Sequence, residues 1–259
     1  MQTTKLKALV VTAGLTLLSG CASTQTKDAI DPWEGWNRNV QSFNDNVDNY
    51  VMKPVAKGYK WVTPGFVDQG VSNFFSNLSD IGVAANDALQ GKFLQSGSDS
   101  ARFLINTSAG VAGLVDVASL IDLPKHKEDF DQTLGYWGVP TGPYLVLPFF
   151  GPSTSRGVFG LLGDAAMNPI SYTGIYFGST WVSTAVSGGL GGLNAIDLRA
   201  DNLGTEKIAS EASVDRYQFF RDAYLANRNY LVKDGNVPED DLLELEKKTG
   251  DQLSPFAPY

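Results

Sequence analysis

Residues 132–155 read QTLGYWGVPTGPYLVLPFFGPSTS and carry no charge. Pro140, Pro143, Pro148 and Pro152 break the stretch at short intervals. Proline has no amide hydrogen and clashes with the carbonyl one turn back, so a helix cannot run through it. Hydrocarbon leaves such an interrupted backbone unsatisfied unless protein or a water-filled cavity covers it. The charge depletion continues outward: of 20 Lys/Arg and 28 Asp/Glu, only Arg156 and Asp164 lie between Gln132 and Ile196. This asymmetry points to a region placed in or against lipid without being a pair of spanning helices. Residues 165–196 contain Asn168-Pro169 and glycines at 174, 178, 188, 189, 191 and 192. Ser, Thr, Gly and Ala recur through 178–192, as in helices that pack closely within a membrane. Tyr172 to Val186 reads as an interfacial helix with Tyr172, Tyr176 and Trp181 at headgroup depth. A buried core helix of a soluble protein is the competing reading of that segment.

The N-terminus ties the chain to a membrane independently. Lys5 and Lys7 precede an uncharged, mostly apolar run from Ala8 to Leu18, too short to stay in a bilayer as a spanning helix. The run ends at Leu18-Ser19-Gly20-Cys21, and Cys21 is the single cysteine. This is the pattern of a bacterial lipoprotein whose signal peptide, residues 1–20, is cleaved before a lipid-modified Cys21. Each buried methylene contributes roughly 0.8 kcal/mol, so several acyl chains would hold the protein effectively permanently. Ala22 rather than Asp after the cysteine favours the outer membrane. Residues 21–30 form a polar tether, 31–235 the folded domain, and 236–259 an acidic C-terminal tail.

The formal net charge is −8, and −10 once Lys5 and Lys7 are removed. Such a chain is a poor candidate for nucleic acid or for electrostatic docking to anionic lipid. His126 is the only histidine and sits in a charged run, Pro124 to Asp129, which reads as an exposed loop. With one His and one Cys there is no zinc cluster. Gly151-Pro152-Ser153-Thr154-Ser155 fails the nucleophile-elbow pattern, and the glycines at 188–192 fail the dinucleotide pattern. Carboxylate pairs such as Glu128/Asp129 and Asp45/Asp48 are explained by salt bridging or capping. No enzyme, cofactor or metal is expected.

Helical periodicity dominates the rest. Trp36, Val40, Phe43, Val47 and Val51 form one stripe, Pro54 interrupts it, and Val55, Tyr59 and Val62 resume it up to Pro64-Gly65. Val71, Phe74, Phe75 and Leu78 mark a second segment and residues 80–90 another, ended by Gly91. Ser98 or Asp99 is placed to cap a helix through Ala101, Leu104 and Ile105. Tyr217, Phe220 and Tyr224 mark a helix over about 211–232, and Pro238 opens a short acidic one. Period-2 alternation is scarce, so the class is mainly α.

Several strings resemble the MlaA/VacJ family of outer-membrane lipoproteins. Asp31-Pro32-Trp33-Glu34-Gly35-Trp36-Asn37-Arg38 followed by Phe43-Asn44 resembles its opening. Asn86 with Leu89-Gln90-Gly91, Arg102-Phe103 with Ile105-Asn106-Thr107, and Gly110, Gly113 and Asp116 continue the likeness. The most specific block runs from Phe130 to Arg156, and Arg221-Asp222-Ala223-Tyr224 resembles the last helix. Together they cover about residues 31–235, with one departure at Asp131, where relatives often place Gly.

The resemblance implies a ring-like, membrane-embedded helical domain with a central amphipathic channel. It implies removal of mislocalised phospholipids from the outer leaflet and delivery to a periplasmic lipid carrier, in association with trimeric porins. The direction of transport comes from the resemblance alone. The family's mobile loop maps onto Gly138 to Pro143, with Gly138 and Gly142 as hinges and Pro140 and Pro143 as stiffeners; a tight turn that only shapes the fold is the alternative. Asn37, Phe43 and Asn44 lie on the helix whose family counterpart borders the channel, and packing is an equal reading for Phe43. The competing functions are a structural lipoprotein that braces a porin or the envelope, and a phospholipase that lacks a nucleophile motif.

Overall fold

The computed structural model describes residues 30–204 and 215–236. Cys21, the signal segment, most of the tether and the acidic tail beyond Asn236 lie outside the described residues. Two helices, α1 (Glu34–Val47) and α2 (Lys53–Val62), are joined without a break by a π-helical turn, Asp48–Met52. Pro54 therefore does not interrupt the helix as its chemistry suggests. The wider turn in front of it takes up the missing hydrogen bond and the ring's bulk, and Pro54 sits in the first turn of α2, where its absent amide costs little.

Next comes α3 (Gly65–Leu89), a single 25-residue helix where the sequence suggests two. It packs along α4 (Phe93–Ser108). Ser98 and Asp99 lie inside α4 rather than capping it, because the chain re-enters helix directly after the left-handed Gly91. A short α5 (Val117–Leu120) is capped by the Asp116 side chain, which accepts from the Ser119 amide at 3.2 Å. Asp129 caps α6 (Phe130–Tyr136) in the same way, accepting from the Gln132 amide at 2.9 Å.

A hairpin of β1 (Tyr144–Leu147) and β2 (Gly151–Thr154) pairs antiparallel, with Tyr144 opposite Thr154. Helix α7 (Ser155–Met167) follows at once, and a 3-10 turn, Pro169–Tyr172, leads into α8 (Thr173–Phe177). Gly178 takes a left-handed conformation, and Ser179 recaps the chain into α9 (Thr180–Asp201). The interfacial helix expected over Tyr172 to Val186 is thus broken in its middle, because the glycine lets the chain turn. Trp181 is 86 % exposed, and the Tyr176 side chain lies outside the described residues. Last comes α10 (Arg216–Val232), opened by Asp215, whose carboxylate accepts from the amides of Tyr217 and Gln218.

The packing closes on itself. Helix α1 packs on β1, β2 on α10, α10 on α6, α6 on α3, α3 on α9, and α9 on α2. The mainly α fold is therefore ring-like rather than two layers about one core. One small apolar cluster, Val40, Tyr144, Val146 and Tyr217, sits where the hairpin meets α1 and α10. Elsewhere the usual polarity is inverted. Among the described residues, 18 buried side chains are polar or charged and only 10 are apolar. The stripe running from α1 to α2 is split: Val40 belongs to the apolar cluster, whereas Trp36, Phe43, Val51, Val55 and Val62 are exposed, and Asn37 is fully buried. Polar residues facing a bundle's interior and apolar ones facing out is the arrangement hydrocarbon selects. No described helix is long and apolar enough to cross a membrane.

Close helix packing occurs elsewhere than the sequence suggests. A Cβ on Gly188, Gly189, Gly191 or Gly192 would meet nothing within 4 Å. On α7, by contrast, a Cβ at Gly157 would lie 2.8 Å from Ser153 Oγ, at Gly160 2.7 Å from Asp131 Cβ, and at Gly163 2.1 Å from Phe130 Cδ1. The small-residue face that lets α7 touch α6 is therefore Gly160 and Gly163, while Gly157 makes room for β2 and for Tyr224 of α10. Gly189→Ala is expected to raise stability by about 0.5–1 kcal/mol, since it removes only unfolded-chain freedom. Thermal unfolding of the detergent-solubilised protein checks this, and a lower midpoint would show that α9 packs through its glycines after all.

Candidate functional site

The loop 138–143, the hairpin and α1 form one unit. The Asn37 side chain, fully buried, donates through Nδ2 to Asp31 Oδ1 at 2.8 Å and to the Tyr144 carbonyl at 3.2 Å, and accepts from the Val146 amide at 2.8 Å. Two helical turns on, Asn44 donates to the Leu147 carbonyl at 2.9 Å and accepts from the Phe149 amide at 2.8 Å. The 3.6-residue period puts both amides on one face of α1, where they act as two staples along β1. Between them Phe43 meets Phe149 edge-on, ring centroids 5.3 Å apart. Phe149 adopts φ +68, a conformation that costs a bulky residue of order 1–3 kcal/mol and persists only where the surroundings enforce it. Asn44 and Phe43 are those surroundings. Phe149 and Phe150 at the hairpin tip are both 74 % exposed.

The loop itself is exposed from Gly138 to Pro140 and at Gly142. Gly138 (φ +86) and Gly142 (φ +70) both need the left-handed region. A Cβ on Gly138 would meet open space, whereas one on Gly142 would lie 2.9 Å from Ser155 Cβ. Carbonyls tie the loop from below. Pro143 O accepts from the Ser155 amide at 3.1 Å, Thr141 O from the Arg156 amide at 3.2 Å, and Val139 O from Arg156 Nη1 at 3.2 Å.

Arg156 and Asp164, the two charges of the depleted stretch, both have internal partners. The Arg156 guanidinium pairs with Asp131, Nε to Oδ1 at 2.7 Å. Asp164 accepts from the Phe130 amide at 2.8 Å, and burial raises its carboxyl to about 6. Asp131, the departure from the family pattern, is thus a buried ion-pair partner rather than a turn residue.

The ring's interior is a set of bonded polar clusters. Asp31 accepts from Asn37, Tyr217 and Arg221. Asn86 accepts from Thr133 at 2.8 Å, and Tyr59 and Ser72 donate to Asp197 at 3.0 Å each. His126 is drawn in with them. Its Nδ1 lies 2.8 Å from Oδ2 of the fully buried Asp99, so it is half-buried rather than a free loop residue. Glu128 bonds Gln90 and Lys92, Asp48 bonds Arg199, and Asp45 lies 3.4 Å from Arg216, which accounts for these acidic residues as salt bridges. Among the described residues no group of His, Cys, Asp and Glu could hold a metal ion.

Burial first, and then the neighbouring carboxylates Asp99 and Glu128, raise the Asp87 carboxyl to about 8, against the pull of Lys92. Asp87 therefore keeps its proton. A raised folded-state value means stability fully present below the ordinary carboxylate range and lost as pH climbs through about 8. Asp87→Asn keeps the shape and a donor but cannot ionise. The wild-type unfolding midpoint is expected to fall between pH 6 and 8 more steeply than that of the variant; equal slopes would contradict this.

Sequence reasoning did not find Phe149, Arg156's hold on the loop, or the Asp31–Tyr217–Arg221 cluster. Phe149's conformation has no sequence signal, because glycine marks such positions and phenylalanine does not. Arg156 carried a weak signal as one of two charges in 65 residues.

Comparison with known proteins gives consistent matches. The family model described as MlaA lipoprotein matches residues 29–231. The chain is 34 % identical over 239 residues to the intermembrane phospholipid transport system lipoprotein MlaA of Escherichia coli (strain K12), covering 90 % of this chain and 91 % of that protein. It is 33 % identical over 247 residues to the Haemophilus influenzae protein of the same name, covering 88 % and 94 %. A solved structure described as "Structural basis for maintenance of bacterial outer membrane lipid asymmetry" matches with a TM-score of 0.67 and 32 % identity, over 78 % of this chain and 98 % of that one.

Proposed function

The chain belongs to the MlaA lipoprotein family, and we propose on that premise that it is an outer-membrane lipoprotein that removes mislocalised phospholipids from the outer leaflet. It passes them to a periplasmic lipid carrier and so maintains lipid asymmetry. Cys21 carries the lipid anchor on the periplasmic side, and the ring sits against trimeric porins.

The observation that carries this reading is the inverted ring. A phospholipid in transit needs a polar path for its headgroup, because a bare charged group in hydrocarbon is costly. Its tails need apolar surface. The ring turns large aromatic and aliphatic side chains outward, toward acyl tails, and keeps its polar side chains buried between its elements, so it is built to sit in hydrocarbon as a body around such a path. The loop at 138–143 is the movable part: Gly138 and Gly142 turn, Pro140 and Pro143 stay stiff, and Asn37, Phe43 and Asn44 hold the hairpin that it leads into. The exposed Phe149 and Phe150 rest in the acyl region beside the entrance.

The test is the amount of phospholipid in the outer leaflet after deletion of the gene and its restoration. A rise on deletion that wild type reverses and Cys21→Ser does not supports the reading. No rise, with the protein present at the outer membrane, moves it to a structural brace. Porin trimers are expected to co-purify with the anchored protein extracted from outer membranes.

A further inference from the structure

Arg156 is itself held from the last helix. Its guanidinium, 5 % exposed, reaches Asp131 through Nε at 2.7 Å and Nη2 at 3.4 Å, and Val139 O through Nη1. The oxygen that faces Arg156 Nη2, Asp131 Oδ2, also lies 3.6 Å from Nε of Arg228, on α10. Arg228 also donates through Nη1 to Asp129, the residue that caps α6. One arginine of α10 thus grips both acidic residues at the start of α6, and one of these grips the arginine that pins the loop. Gly135 makes the crossing possible. A Cβ there would fall 2.9 Å from Arg156 Nη1 and 2.7 Å from Val232 Cγ1, so α10 and the guanidinium both occupy the space a side chain would take.

We propose that Arg228 is a positioning residue for the loop at 138–143, acting through Asp131 and Arg156, so that the placement of α10 sets the placement of the loop. The inference rests on the functional reading of that loop. It adds a second point of control, remote in sequence and on a different element. The Arg156–Asp131 pair is buried and the Arg228 contacts partly so, and such pairs suit this task. Their partners are fixed in direction as well as distance, and moving one leaves the next uncompensated.

Hydrogen–deuterium exchange of the full-length, lipid-anchored protein in detergent tests it. The readout is the amides of Gly138 and Val139, which donate to the Gly135 and Leu134 carbonyls at 2.9 Å each, with the middle of α3 as internal reference. Arg228→Met is expected to speed exchange at these two loop amides about tenfold and leave α3 unchanged. Arg228→Lys, which keeps a charge facing Asp131, is expected to return most of the protection. Asp131→Asn is expected to resemble Arg228→Met, and provides the comparison if that variant is poorly made. Unchanged loop exchange in Arg228→Met, or in Asp131→Asn should Arg228→Met be poorly made, overturns the proposal. So does equal acceleration in the loop and in α3, which is the signature of mere stability loss. A freed loop with undiminished clearance of outer-leaflet phospholipid would leave the relay standing and sink the gating role of the loop instead.

Discussion

Arg102→Ala is expected to destabilise the protein by about 3–5 kcal/mol, the cost of removing one partner from a buried ion pair. Arg102 is 1 % exposed and binds Asp116 with Nη2 at 2.9 and 2.8 Å, the Ser119 hydroxyl at 3.3 Å and the Leu123 carbonyl; its Nε lies 4.0 Å from Asp80. Burial alone would push the Asp116 carboxyl up, yet bonds from Ser119, Asn106 and Arg102 hold it at about 2. Truncating Arg102 removes the direct partner of Asp116 and the second of two cations near Asp80, whose Oδ1 is bonded by Lys125. The segment from Asp116 to Leu123 would lose its attachment to α4, and α3 would lose a counter-charge for Asp80. For a domain of this size the shift in unfolding midpoint is about 10 °C. Arg102→Met combined with Asp116→Asn is expected to recover part of it, since the pair then leaves no lone charge. A loss under about 1 kcal/mol for Arg102→Ala, measured by thermal or denaturant unfolding in detergent, would mean that water reaches the site.

The second large effect is expected from Gly160→Val. A Cβ at Gly160 falls 2.7 Å from Asp131 Cβ, 2.9 Å from its amide nitrogen and 3.0 Å from its Cα. These are main-chain or near-main-chain atoms, so no rotamer change relieves the clash and α7 must move off α6. Overpacking costs about 1–3 kcal/mol, and the upper end applies where backbone has to shift. Displacing Asp131 also misplaces Arg156, so the loop is expected to lose protection together with global stability. Gly163 is no gentler, since a Cβ there would meet Phe130 Cδ1 at 2.1 Å and Phe130 Cβ at 2.8 Å, and that Phe130 Cβ is fixed to the backbone of α6. Gly189→Val is the control, having open space around it, and is expected to be near neutral, since valine is no poorer a helix former than glycine. Equal midpoints for Gly160→Val and Gly189→Val would refute the packing account.

Both effects depend on contacts that residue spacing does not encode. The helices at 34–62 and 216–232 were legible from apolar spacing, and the prolines at 140, 143, 148 and 152 marked the non-helical stretch that became a loop and hairpin. The positions of Asn37 and Asn44 on one face of α1 follow from their spacing alone. That these amides staple β1 does not, because their partners lie more than 100 residues away. Glycine content likewise pointed to close packing, but to 178–192 rather than 157–163. Composition reports how small a helix face is and says nothing of what lies opposite.

What the sequence determined by itself was the anchor pattern, the mainly helical class, the charge-free middle and the apolar stripe along α1 and α2. All are local properties, set by periodicity and by the chemistry of single residues. The tertiary structure alone decided which way the stripe faces and how the buried charges pair. Amphipathicity defines two faces without naming the medium that each meets. Closing the helices into a ring placed the polar face inside, where Asp31, Asp80, Asp99 and Asp131 need partners drawn from distant elements. A carboxylate out of water must find its counter-charge or keep its proton, and only the assembled ring determines which of these each one does.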